Sequence, residues 1–293
     1  MGIISQILNL LEIVSFGSHY IEIALLLRES MFLNGVLYNS EVWYGLTKAE
    51  VSEFEKLDRL LLRKILGVPF STPQEAFYLE LGIVPISVIL KTRRIQYLHN
   101  LTKRDDDTMI HQFLKVQWNN PTRGDWTETV RDNLNEFGIP EDIDYLKSQT
   151  KEGFKNMVKK KARKIALIKL LNMKVTHSKM EKLEYEELKI QSYFHLAGIK
   201  AETMRNIFRF RTRMTPYGEN FRNGSDSVVC PLCRTHEDSQ TWATKCPAMR
   251  IEITDNFDLE KCYEEDMNTE AANQMDHVMR IRKMLLSRKQ AED

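Results

Sequence analysis

Apolar residues return every three or four positions through most of the chain, the period of a helix with one buried face. Val51, Phe54, Leu57, Leu61 and Ile65 form one such stripe, with Arg59, Arg63 and Lys64 on other faces. Its ends are marked by residues with a physical reason to be there. Thr47 and Glu50 have the spacing of a capping box, in which the threonine hydroxyl accepts a first-turn N–H and the glutamate reaches back. Gly67 is the stop, so a helix is predicted from Lys48 to Leu66. Thr72, Pro73 and Glu75 repeat the start signal, with proline at the first helical position, and Gly82 closes that short helix.

A third helix opens at Pro85 and carries Ile86, Ile89, Leu90, Arg93, Arg94, Tyr97 and Leu101 up to the acid run Asp105 to Asp107. Surface positions are expected for Arg93 and Arg94. Further helices are expected from Lys151 to about Leu171, with Phe154, Val158, Ala162 and Ile165 on one side, from Ser178 to Leu196, and from Glu202 to Met214. The apolar start of the chain reads as a core helix. Strands are few, with a short pair around the cysteine-rich loop as the one candidate. The fold class is therefore mainly α: helical bundles with a small zinc-knuckle-like loop near the C-terminus.

The polar stretches Asp105 to Asp107 and Asn119 to Asp125 suggest domain boundaries. They divide the chain into a helical region 1–104, a linker with short helices 105–149, a basic helical region 150–224, a cysteine-bearing module 225–250 and an acidic, then helical, tail 251–293.

With 293 residues there is room for about two domains. Glycine (12) and proline (8) are scarce, which favours helices over a sheet-rich fold. The four cysteines, three of them clustered, do not make a disulfide framework, so a reducing intracellular setting, nuclear or cytoplasmic, is expected. The first residues lack a basic leader, and Glu12 interrupts their apolar run short of the roughly 20 residues of a membrane span. Gln6 stands where the myristoylation pattern needs Ser or Thr. No membrane partner is expected.

The net charge of +1 conceals a segregation. Lys151 to Arg213 holds seventeen Lys and Arg against six Asp and Glu, whereas Asp255 to Asp276 holds eight acids and one lysine. The positive segment is the candidate for phosphate contact, because cations that neutralise phosphates release condensed counterions. Lys155, Lys159, Lys160, Lys161, Arg163 and Lys164 crowd one predicted helix. Arg209, Arg211 and Arg213 alternate with Phe208, Phe210 and Met214 on another, where Phe208 reads as core. The competing reading is an ordinary solvated helix face. The tryptophans Trp43, Trp118, Trp126 and Trp242 read as packing residues.

Between Val229 and Pro247, Cys230 and Cys233 form a Cys-x-x-Cys pair, His236 follows after two residues, and Cys246 after nine more. Four such donors suit a tetrahedral zinc ion and leave no open position, which makes the site structural. Two other readings stay open: a buried free-thiol cluster packed against Trp242, and a redox pair without the strand and helix context that chemistry needs. A hydrolytic zinc, with Glu237 or Asp238 as base, is the remote case. Cys262 and His277 in the acidic tail are not expected to bind anything.

With these residues in place, the chain resembles the C-terminal part of the polyprotein of non-LTR (LINE-type) retrotransposons, beyond the reverse-transcriptase palm. The likeness is carried by residues 17–50 (GSHYIEIALLLRESMFLNGVLYNSEVWYGLTKAE), by LDRLLLRKILG, TPQEAFYLELGIVPI, FKNMVKKKA and FRFRTRM, and by the CPLC loop, covering about Gly17 to Arg250. It implies that residues 20–66 belong to a helical thumb that grips the primer and template duplex. It also implies that residues 225–250 form a zinc-knuckle-like end that helps bind RNA or DNA, with Cys230, Cys233 and Cys246 as metal ligands. Relatives often place a histidine four residues before the last cysteine, where this chain has Trp242, so His236 is the histidine left inside the motif.

No aromatic-x-Asp-Asp turn is present to hold the metal ions of nucleotidyl transfer. The resemblance therefore implies a nucleic-acid-binding portion of such an enzyme without its polymerase or endonuclease site, and not an enzyme in itself. The other readings are a protein-interaction scaffold and a decayed reading frame. Without a palm, the helices from Ile3 to Leu37 are expected to leave an apolar face uncovered, free to meet the rest of a reverse transcriptase or a second copy.

Overall fold

The computed structural model describes residues 2–14, 19–196, 198–220, 229–243, 245–250, 260–264, 267 and 269–292. Helix dominates among them and no strand forms. The expected strand pair near the cysteines reduces to one isolated bridge, Val229 with Glu237, and a second bridge joins Leu81 to Ile190.

α1 (Ile3–Val14) packs on α2 (Tyr20–Leu27), which passes through a π-helical turn, Arg28–Leu33, into the short α3 (Asn34–Val36). Ile7, Leu11, Tyr20, Ile21, Ala24, Phe32, Leu33 and Leu37 are all buried. The rest of the chain thus covers most of the face from Ile3 to Leu37 expected to lie open, while Leu10 and Leu26 stay exposed. Arg28 makes two 2.7 Å bonds to the carboxylate of Asp58, both side chains are buried, and Tyr78 donates to the same carboxylate at 3.3 Å.

Asp58 lies on α4 (Lys48–Leu66), whose start is the capping box that the sequence predicts. Thr47 Oγ1 accepts from the Glu50 amide at 3.2 Å and Glu50 Oε2 accepts from the Thr47 amide at 2.8 Å. Gly67 ends the helix in the left-handed region at φ +60°. Leu61, Leu62, Ile65 and Leu66 are buried, whereas Leu57 is exposed, so the buried stripe lies toward the C-terminal half. α5 (Gln74–Glu80) follows, with Pro73 as its N-cap instead of its first helical residue. Thr72 does not cap it: the hydroxyl is buried without a hydrogen-bond partner.

α6 (Ile86–Thr102) is the centre of the molecule. It is buried on several sides, by Ile86, Val88, Leu90, Ile95, Leu98 and Leu101, because its neighbours enclose it. Against it pack α4, the 3₁₀ turn Ser40–Val42, α7 (Met109–Asn119), α8 (Trp126–Glu136), α9 (Ile143–Ser148) and α10 (Lys151–Lys174). Arg94 is buried and Arg93 half-buried. They turn inward to the carbonyls of Leu37 and Trp43, the latter at 2.6 Å. Thr150 caps α10, which buries the i, i+4 row Phe154, Val158, Ala162, Ala166 and Leu170.

The helix expected from Ser178 to Leu196 does not form; only the 3₁₀ turns Ser178–Met180 and Ser192–His195 are helical. The buried residues explain why. Met180, Leu183, Tyr185, Leu188 and Tyr193 are separated by alternating short steps of three, two, three and five, which scatter around a 3.6-residue helix. The segment instead runs alongside α5, where the Gln191 amide bonds to the Glu80 carbonyl at 3.0 Å. The approach is tight at Gly82, φ +60°, where a Cβ would stand 2.1 Å from the carbonyl carbon of Lys189.

α11 (Ala201–Arg211), the short α12 (Gln240–Ala243) and α13 (Pro247–Arg250), and α14 (Thr269–Glu292) complete the fold, with α11 packed on α14. One continuous core runs from Ile7 to Ile281, so the stretches 1–104, 105–149 and 150–224 contribute helices to a shared interior. Trp43 stacks on Phe54, Trp126 meets Tyr97 edge to face, and Trp118 lies under Arg131, so these three tryptophans pack; the side chain of Trp242 lies outside the described residues. Phe208 is core and stacks on Phe77. No helix among the described residues is long and apolar enough to cross a membrane.

A charged knot sits inside this core. Glu80 receives Arg211 Nε at 3.0 Å and the hydroxyls of Tyr185 and Tyr193 at 2.6 and 2.7 Å, all four side chains being buried. Glu80→Ala would leave the guanidinium buried without its counter-charge and should lower unfolding stability by about 3–5 kcal/mol in urea titration. Glu136→Ala, which removes a surface pair with Lys91, should cost under about 1 kcal/mol. Equal effects of the two substitutions would show that Glu80 is not holding the core.

Candidate metal centre and basic helix face

The cysteine loop is a tight hairpin. The Cys230 amide bonds to the His236 carbonyl at 2.7 Å, and the Arg234 amide bonds back to the Cys230 carbonyl at 2.9 Å. Arg234 takes the left-handed conformation at φ +57°, a position that glycine fills more easily. Cys246 directly precedes α13 and its carbonyl accepts the amides of Met249 and Arg250, both at 2.9 Å. This brings three sulfurs together: those of Cys230, Cys233 and Cys246 lie within 4.8 Å of one another and can hold a metal ion. Cys230 and Cys246 are buried, Cys233 half-buried.

His236 stands beside this trio without belonging to it. Its Nδ1 is 3.8 Å from the sulfur of Cys233 and 2.8 Å from the hydroxyl of Thr235, and it lines the same small cavity as the three cysteines. The hydroxyl of Thr235, followed by His236, draws the Cys233 thiol down to about 5, while burial pushes Cys246 up to about 11. The lowered Cys233 favours the thiolate form that ligates a cation, whereas Cys246 would have to give up its proton to do so.

The hairpin is fastened by residues that the sequence does not single out. Asp238 accepts from the Gly218 amide at 2.7 Å and pairs with Arg282 of α14 at 2.7 Å; Arg282 in turn lies over the ring of Tyr217. Lys289, also on α14, bonds to the Pro231 carbonyl inside the Cys-x-x-Cys. Gln240 donates to the Phe210 carbonyl at 2.8 Å, tying the loop to α11. Asp238 is therefore bound in an ion pair and not placed as a hydrolytic base. Arg282 is 44 positions from Asp238, so no local pattern links them. His277 is exposed on α14, and the side chain of Cys262 lies outside the described residues.

The nine basic residues expected to meet phosphate separate into two groups. Lys155, Lys159, Lys160 and Lys164 are exposed on α10 and make no ion pair among the described residues. The others have work inside the molecule. Lys161 donates to the Gly138 carbonyl at 3.0 Å, and Arg163 to the carbonyls of Gly82 and Leu188. Arg209 holds the Gly67 carbonyl at the end of α4 and also meets Glu202. Arg213 approaches Glu219 at 3.5 Å. Arg211 is a correction: only 1% exposed and locked to Glu80, it has no access to a phosphate.

Comparison of the chain with protein-family models, with curated proteins and with solved structures gives no match in any of the three.

Titration of the reduced chain with Co²⁺ should produce sulfur-to-metal charge-transfer absorption that saturates at one ion per chain. Cys246→Ser should weaken binding by at least the roughly 10–100-fold that loss of a supporting group alone brings. Binding as tight as in the parent chain would remove Cys246 from the ligand set.

Proposed function

We propose that the chain binds RNA or DNA as the thumb-like and zinc-bearing portion of a retroelement reverse transcriptase. The single observation that carries this reading is the outer face of α10. Lys155 and Lys159 occupy one i, i+4 row of that helix, and Lys160 and Lys164 occupy a neighbouring one. Four ammonium groups on flexible stems, unpaired within the described residues and mounted on a rigid rod, form a surface that a phosphate backbone can neutralise without displacing any internal bond. Contacts of this kind supply affinity with little sequence preference, as a duplex-gripping module requires.

The metal in this reading is zinc, held by Cys230, Cys233, Cys246 and His236. A tetrahedron with Zn–S near 2.3 Å and Zn–N near 2.0 Å has edges of about 3.5–3.8 Å. The Cys230 to Cys246 separation of 4.0 Å and the Cys233 to His236 separation of 3.8 Å are close to those edges. Nδ1 of His236 would exchange the Thr235 hydroxyl for the ion. With four protein donors the ion stabilises the hairpin and performs no chemistry.

Binding to fluorescent RNA and DNA oligonucleotides, followed by anisotropy over a range of salt concentrations, tests the proposal. Affinity should fall steeply as salt rises, and replacing Lys155, Lys159, Lys160 and Lys164 by Gln should reduce the magnitude of the log–log slope by about 3–4. Affinity indifferent to salt, or a slope unchanged in the quadruple variant, would remove α10 from the interface.

A further inference from the structure

A cavity of about 730 Å³ lies between α11 and α14, within the roughly 300–1,000 Å³ of small-molecule sites. Ile199, Met279 and Leu286 give it an apolar wall, and Lys200, Glu202 and Thr203 bring the start of α11 to it. First-turn amides have no carbonyl of their own helix to meet. Those of Glu202 and Thr203 have no acceptor among the described residues, and Lys200 at the N-cap is a side chain that can only donate. Thr203 is a second and independent mark. It is only 6% exposed, it lines the cavity, and its hydroxyl has no hydrogen-bond partner among the described residues. Helical side chains lean toward the N-terminus, so this hydroxyl is directed to the same open turn. A buried hydroxyl is unfavourable until something meets it.

We propose that the first turn of α11 binds a phosphate monoester, with the amides of Glu202 and Thr203 and the Thr203 hydroxyl donating to its oxygens and Lys200 supplying the counter-charge. Three donors on one turn match the three terminal oxygens of a monoester better than the two of a carboxylate, and the positive end of the helix favours the anion. Two carboxylates line the same cavity, and both are engaged. Glu202 meets Arg209 at 3.3 Å and Arg205 at 3.6 Å, and Asp276 accepts from Asn206 at 2.9 Å and pairs with Arg280. Arg282 is held by Asp238 at 2.7 Å. With those charges matched, Lys200 and Lys283 are exposed and have no ion pair among the described residues, so the cavity keeps a positive surplus. The apolar wall is left for the body that carries the phosphate. No residue of α10 lines this cavity, so the site is separate from the lysine rows of that helix.

Calorimetric titration of the full chain with inorganic phosphate in chloride buffer is the test. Saturable binding of one phosphate per chain is expected. Thr203→Val keeps the side chain's shape and should weaken that binding about ten-fold. In the absence of phosphate the same substitution should leave the urea midpoint unchanged or raise it, because the hydroxyl has no bond to lose. Lys200→Gln should also weaken binding, whereas replacing Lys155, Lys159, Lys160 and Lys164 by Gln should leave it as in the parent chain. A nucleoside monophosphate or a 5′-phosphorylated oligonucleotide should displace the phosphate, which tells a free nucleotide from a strand end, and the same oligonucleotide without its phosphate should not. No saturable phosphate binding, parent-like binding by Thr203→Val, loss of binding in the α10 variant, or displacement by the unphosphorylated strand would overturn the assignment.

Discussion

A carboxylate placed in a helical core is costly unless it is paired, and the surroundings of Glu80 meet that cost. One guanidinium, Arg211, faces it, and two tyrosine hydroxyls complete the shell. Burial, and then the nearby Glu80 charge, pushes both tyrosines well above their ordinary range, so Tyr185 and Tyr193 remain protonated donors. The four residues come from α5, from the non-helical run after α10, from the Ser192–His195 turn and from the end of α11. Fixing them fixes how α11 lies on α5. The cysteine hairpin inherits that position, because Gln240 bonds to the carbonyl of Phe210, one residue before Arg211. A buried polar contact outside the cysteine cluster thus helps to decide where its three sulfurs stand.

The absence of strands among the described residues has a second consequence, for the arginines. Loops and helix ends that do not pair into a sheet leave carbonyl oxygens without partners, and buried carbonyls must find donors. Arg93 reaches Leu37, Arg94 reaches Trp43, Arg163 reaches Gly82 and Leu188, Arg205 reaches Ile65, and Arg209 reaches Gly67. A planar group with five N–H donors suits this task better than an ammonium. The positive surplus between residues 151 and 213 therefore contains two populations. Its arginines mostly close the fold, and the exposed lysines of α10 are what it can offer to a partner.

Local signals in the sequence located what is local in the structure. The capping box at Thr47, the stop at Gly67, the start at Pro85 and the stripe of α10 depend on residues within a few positions of one another, and each defines an observed element. The Cys-x-x-Cys is likewise local, and it joins Cys246 as expected. The failures are non-local. Residues 181–191 have enough apolar side chains for a helix, yet the buried ones alternate at two and three, and Glu80 draws Tyr185 out of helical register. Nothing near Asp238 announces Arg282, and nothing in FRFRTRM announces that Arg211 meets a glutamate 131 positions earlier.

Periodicity tells which side of a helix is apolar, but not whether anything covers it. α6 and α7 make the contrast within one fold. Both carry apolar residues on more than one side; α6 is enclosed by its neighbours, whereas α7 lies at the edge with one side against the core. Its inward side even includes a histidine, His111, with Nε2 3.1 Å from a carboxylate oxygen of Asp106, while Phe113 and Met109 point outward. The Ile3 to Leu37 helices, equally apolar in sequence, are largely covered, because α4 and α11 stand against them through Ile65, Tyr20 and Arg205.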